Sequence, residues 1–154
     1  MVVEETRMRF ENPSPAEIES LLRKARTIAV VGLSDRPHRT SHGVSAAMQR
    51  FGYRILPVNP LIREALGEPA FPTLAAAKAS LPAGERIDIV DVFRRSEHVA
   101  GIVDECLALG LPAIWLQEGV VDAAAAGRAR AAGVTVVMDR CLYKDRARIG
   151  AGGT

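Results

Sequence analysis

The sequence predicts an α/β fold in three layers, a five-stranded parallel sheet covered by helices on both faces. Three observations carry this. Short apolar runs without alternation, led by Thr27-Ile-Ala-Val-Val31, suit strands buried on both sides. They alternate with segments whose apolar residues recur at helical spacing. No repeat or linker interrupts the alternation, so residues 1–154 read as one domain: an N-terminal extension with a helix (1–26), a core (27–143) and a C-terminal tail (144–154).

Ser14-Pro15-Ala-Glu17 is a capping box with proline at the first helical position, and Ile18, Leu21, Leu22 and Ala25 follow at helical spacing. A helix therefore precedes the first strand, Thr27 to Val31. The next helix spans Gly43 to Phe51, with Val44, Ala47 and Met48 inward and Gly52 ending it. Tyr53 to Val58 forms the second strand and stops at Asn59-Pro60. Leu61 to Leu66 and Thr73 to Leu81 carry short helical patterns separated by Gly67 and the Pro69 to Pro72 stretch. Ile87 to Phe93 is the third strand, and Ser96 suits the N-cap of a helix with Val99, Ile102, Val103, Cys106 and Leu107 inward and Gly110 at its end. Ala113 to Leu116 is the fourth strand. Asp122 caps an alanine-rich helix that ends at Gly133, and Val134 to Met138 is the fifth strand. Lys144 to Thr154 reads as a fraying tail. Right-handed crossovers make this a Rossmann-like sheet. The expected order is 3-2-1-4-5, which places the loops after strands one and four side by side at the switch point.

Composition narrows the function. With 154 residues, 48% hydrophobic and 25% charged, the chain can bury a sizeable core without metals or disulfides. A net charge of +2 and few aromatics argue against a nucleic-acid partner. No apolar run approaches the ~20 residues of a membrane helix, Met1 to Arg9 lacks a signal-type apolar stretch, and the two cysteines form no CxxC pair. A reduced cytoplasmic setting, with no membrane partner, is the expectation.

The chemistry concentrates where the first strand ends. Gly32 lets the backbone turn tightly and approach a ligand, Ser34 and Ser41 offer hydroxyls, Arg36 and Arg39 offer fixed positive charge, and a helix N-terminus follows. This reads as a phosphate cradle. Gly32-Leu-Ser34-Asp-Arg36-Pro37 keeps only the first glycine of GxGxxG, and Asn59-Pro60 stands where an NAD enzyme places an acid for the ribose hydroxyls. NAD is disfavoured; the arginines suit the extra ribose phosphate of NADP or coenzyme A, and the residues alone leave both open.

Five segments in order resemble a known family. They are Gly32-x-Ser34-x-x-Pro37-x-Arg39-x-Ser41, Pro57-Val58-Asn59-Pro60, Asp88 to Arg94, Trp115 to Val120, and Asp139-Arg140-Cys141. Together, over Arg26 to Lys144, they are similar to the stand-alone CoA-binding proteins, which resemble in fold the N-terminal CoA-binding domain of the succinyl-CoA synthetase α subunit. The resemblance implies CoA as cofactor across the carboxyl ends of the strands. Gly32, Leu33 and Ser34 would meet its phosphates, with Arg39 and Ser41 supporting the charge. Val58, Asn59 and Pro60 would flank the nucleotide, Phe93 and Arg94 would close over it, and Gln117, Glu118, Gly119 and Val120 would line the pantetheine side.

The function expected is binding of CoA or an acyl-CoA without catalysis, since the chain has no room for a synthetase's further domains. The alternatives are a compact NADP-dependent oxidoreductase and an interaction subunit that binds no small ligand. A homo-oligomer or protein partner stays open. Trp115 and Cys106 read as core, His38, His42 and His98 as solvated, and Glu118 and Asp139 receive no reaction. Cys141 follows the fifth strand with Arg140 beside it, which makes it a candidate redox residue able to form a mixed disulfide with CoA.

Overall fold

Strand β1 (Thr27–Val31) is buried at every position, as its unbroken apolar sequence requires of a central strand. The computed structural model describes residues 10–150; the start of the N-terminal extension and the last four residues of the expected tail lie outside the described residues. Around β1 run β2 (Arg54–Val58), β3 (Ile89–Val92), β4 (Ala113–Leu116) and β5 (Thr135–Val137), all parallel. The helices are α1 (Pro15–Lys24), α2 (Thr40–Arg50), α3 (Leu74–Ala79), α4 (Val99–Leu109), α5 (Ala123–Ala131) and α6 (Leu142–Ile149). Ile18 and Leu22 of α1, Val44 and Met48 of α2 and Leu142 of α6 pack on one face of the sheet. Leu74 of α3, Val103 of α4 and Ala126 of α5 pack on the other.

The Rossmann-like class and the five parallel strands are as the sequence predicts, but the strand order is β2-β1-β3-β4-β5, not 3-2-1-4-5. The reason lies in the faces. Because α3 crosses on the face opposite α2, a right-handed connection must carry the chain back past β1, so β3 lands on its far side. The switch point therefore lies between β1 and β3, where Phe93 N donates to Val31 O at 2.9 Å.

Local signals were mostly obeyed. Ser14 and Glu17 form the capping box, Thr73 and Asp122 cap α3 and α5, and Gly110 closes α4 in the left-handed region. Three readings need correction. Leu61 to Leu66 is no helix: Glu64–Ala65 pairs with Glu68–Pro69 as a two-residue ladder, because Gly67 and positive-φ Leu66 make a tight turn between them. Ser96 is not a helix N-cap; its hydroxyl accepts from Val121 N at 2.9 Å, and a single 3-10 turn, Ser96–His98, leads into α4. The expected tail is helical up to Ile149, since α6 has Leu142 and Asp145 to bury.

The sheet edges are blunted differently. Pro57 in β2 has no N–H to offer, and Phe71 bridges alongside Val58. At the other edge Asn12 clasps the strand's end: its Nδ2 donates to Met138 O at 3.0 Å and its Oδ1 accepts from Met138 N at 2.7 Å.

Candidate functional site

The loop after β1 is built by backbone constraint. Gly32 has φ +88°, and its N–H donates to Val58 O at 2.9 Å, which ties the loop to the end of β2. Leu33, expected to meet the phosphates, is instead fully buried, so it serves the loop as an anchor and lines neither cavity. Asn59 Nδ2 donates to that Leu33 carbonyl at 3.0 Å, while Asn59 Oδ1 accepts from Leu61 N at 2.9 Å. Asn59 thus holds two loops together and lines neither cavity. Ser41 is buried in the first turn of α2, and its Oγ accepts from Ser34 N at 3.0 Å, while Ser34 Oγ accepts from Arg36 N at 3.1 Å. The hydroxyls therefore shape the loop as well as border it.

The loop after β4 is pinned from two sides. Asp139, at φ +60°, accepts from Gly119 N at 2.8 Å, and Ser96 accepts from Val121 N. Such a conformation is one that aspartate tolerates better than most side chains. Gly119 turns the loop at φ +82° and faces no cavity, whereas Gln117, Glu118 and Val120 do.

Two cavities result. The first, about 410 Å³, lies against the α2 and α6 side of the rim; it is lined by Gly32, Ser34, Arg39, Ser41, Phe93, Arg94, Gln117, Glu118, Val120 and Cys141, and by Thr40 and Arg95. The second, about 360 Å³, lies on the α3 and α4 side and includes Val58, Pro60, Thr73, Arg94, His98 and Ile102. Arg94 lines both. Among the described residues neither Arg39 nor Arg94 pairs with a carboxylate, so the rim carries uncompensated positive charge. Lys144 is offset by Glu118 at 3.1 Å, and that pairing raises the lysine's pKa.

Cys141 is buried at the start of α6 with one side on the first cavity. Arg140 does not attend it: its guanidinium grips Asp145 at 2.6 and 2.7 Å, and its carbonyl accepts from Trp115 Nε1 at 2.8 Å. Trp115 and Cys106 are core as expected, and burial pushes the Cys106 thiol up to about 12. The sequence reading missed Thr40, because it began α2 at Gly43, and the whole α3–α4 wall of the second cavity. It also gave no role to Asp91, although a carboxylate inside an apolar strand is itself a signal. Asp91 is fully buried, its Oδ1 accepts from Gln117 Nε2 at 2.6 Å, and desolvation pushes its pKa up to about 8.

A parallel α/β sheet with a cationic groove at its switch point places the chain among the Rossmann-like domains. Residues 26–147 match the family described as a CoA binding domain, and the chain belongs to that family. The Bacillus subtilis (strain 168) protein YneT is 49% identical over 133 residues, 86% of this chain and 94% of YneT. The structure of cell-free ID.343 from Thermus thermophilus is 36% identical, with a TM-score of 0.79 over 89% of this chain and 99% of that one. The apo form of dinucleotide forming acetyl-coenzyme A synthetase 1 from Ca. Korarchaeum cryptofilum shares the fold at 19% identity, with a TM-score of 0.61 over 82% of this chain and 30% of the synthetase.

Proposed function

We propose that the protein binds CoA or an acyl-CoA across the carboxyl rim of its sheet and does no chemistry on it. The observation that carries this is a pair of cavities at the rim that share Arg94 as a lining residue, with Arg39 on the rim of one. CoA combines a polyanionic adenosine end with a long amide-bearing arm, so it suits a rim with free guanidiniums and a cavity on either side of Arg94. The family of the chain supports the same ligand. The acids at the rim support binding over catalysis, because Glu118 is engaged by Lys144 and Asp139 by the Gly119 amide.

Thermal unfolding with CoA, dephospho-CoA and NADP tests the reading. CoA at ~100 times its dissociation constant should stabilise the fold by about 2.7 kcal/mol, a rise of several degrees. An equal shift with NADP, or none with CoA, would overturn it. Acyl-CoA incubated with the protein should release no thiol; release above the protein-free rate would overturn the non-catalytic half.

A further inference from the structure

Gln117 stands where β4 runs into the groove, and nearly all of its polar atoms are taken. Its backbone N–H donates to Val92 O at 3.3 Å, and its backbone carbonyl accepts from Val120 N at 2.9 Å. Its side-chain nitrogen donates to Asp91 Oδ1 at 2.6 Å. Among the described residues that leaves Oε1 without a protein donor, on a residue that is only 4% exposed and that lines the first cavity. Asp91 lies beneath it in β3, in register with Val30 and Trp115, fully buried, and its Oδ2 has no partner.

A buried carboxyl in an apolar strand costs stability unless its oxygens are hydrogen-bonded, and Asp91 has only one of the two engaged. Here it dictates which end of an amide is turned outward. Asp91 Oδ1 accepts from Gln117 Nε2, which turns the amide nitrogen toward β3 and away from the groove. The glutamine oxygen is then presented to the groove. A carbonyl oxygen repels phosphate, so it sorts the ligand: acceptor-only groups go to Arg39 and Arg94, and an N–H group goes to Gln117. We propose that Asp91 is a positioning residue, holding the Gln117 amide so that its oxygen accepts an amide N–H from the pantetheine arm and thereby fixes the direction in which the ligand lies. The proposal rests on the CoA reading above. An amide N–H suits the site better than adenine, which pairs adjacent donors and acceptors and would leave one unmatched against a lone oxygen.

Calorimetric titration of Asp91→Val, Asp91→Asn, Gln117→Leu and the Asp91→Val/Gln117→Leu pair tests it, using CoA and its adenosine bisphosphate fragment, which lacks the arm. Asp91→Val and Gln117→Leu should each weaken CoA about tenfold and leave the fragment unchanged, and the pair should lose no more than either alone. Asp91→Asn, which keeps an acceptor for Nε2, should retain CoA affinity. Equal weakening of both ligands in Asp91→Val, unchanged CoA affinity, or additive losses in the pair would overturn the role. If Asp91→Val does not fold, Gln117→Leu and Asp91→Asn decide: CoA affinity kept by the first, or lost by the second, overturns it. Wild-type protein that binds CoA no more tightly than the fragment would leave the CoA reading standing and remove this one, whereas wild-type protein that binds neither would remove both.

Discussion

A side chain on Gly32 would run into the carbonyl oxygen of Phe93, so the loops leaving β1 and β3 meet with no room for even one methyl group between them. The Cβ would also lie 2.9 Å from Arg94 Cδ, and the residue's φ of +88° disfavours any L side chain. Gly32→Ala should therefore cost at least about 1–2 kcal/mol from backbone strain alone, measured by urea unfolding, and should also abolish CoA binding by forcing the two loops apart.

Arg39 and Arg94 are exposed and, among the described residues, free of carboxylate partners, which separates their effect on ligand from their effect on folding. Arg39→Ala and Arg94→Ala should each weaken CoA by at least about tenfold while leaving the ligand-free melting temperature nearly unchanged. Because Arg39 lines one cavity and Arg94 lines both, Arg94→Ala should produce the larger loss. A fall in melting temperature without ligand would assign the arginine to the fold instead.

Asp91 makes stability depend on pH in a definite direction. Its carboxyl titrates near 3.8 when unfolded and is pushed up to about 8 by burial, so between those values the native state holds a proton that the unfolded chain has released. Stability should be greatest below about pH 4 as far as this group is concerned, decline by up to about 1.4 kcal/mol per pH unit, and level off above about pH 8. Urea midpoints at about pH 5 and about pH 7, inside that window, would measure the slope, and Asp91→Asn should flatten it.

The two cysteines should behave differently. Cys106 is fully buried and its thiol is held up to about 12, so it should resist alkylation in the native protein. Cys141 borders the first cavity, so iodoacetamide should label it slowly, and CoA should slow that labelling further. We also expect CoA disulfide to exchange with it: the Cys141 thiolate attacks one sulfur, a protein–CoA disulfide forms, and one CoA thiolate leaves. Intact mass should rise by one CoA and return with reductant; no change would make Cys141 a wall residue only.

Much of the fold was legible because its signals are local. The apolar run of β1, the Ser14–Glu17 box and the Asp122 cap each depend on residues a few positions apart, and each formed as read. Strand order was not legible in the same way, because it depends on which face α3 takes after β2, and a six-residue, alanine-rich helix says little about that. The site followed the same divide. Gly32, Ser34, Arg39, Phe93, Arg94 and Gln117 were readable at strand ends and converge on one cavity. Asn59 and Gly119 were found for their position, but they act by bracing loops, a role that only three-dimensional partners reveal. The wall formed by α3 and α4 carries no motif, and Asp91 needed Gln117 beside it before its purpose could be read.

The Asn12 clasp on Met138 blunts one end of the sheet's outer margin. An amide that satisfies both backbone groups past the last strand does what another chain's strand would otherwise do. Replacing Asn12 with alanine would leave these two groups open to pairing, edge to edge, with a strand of another molecule.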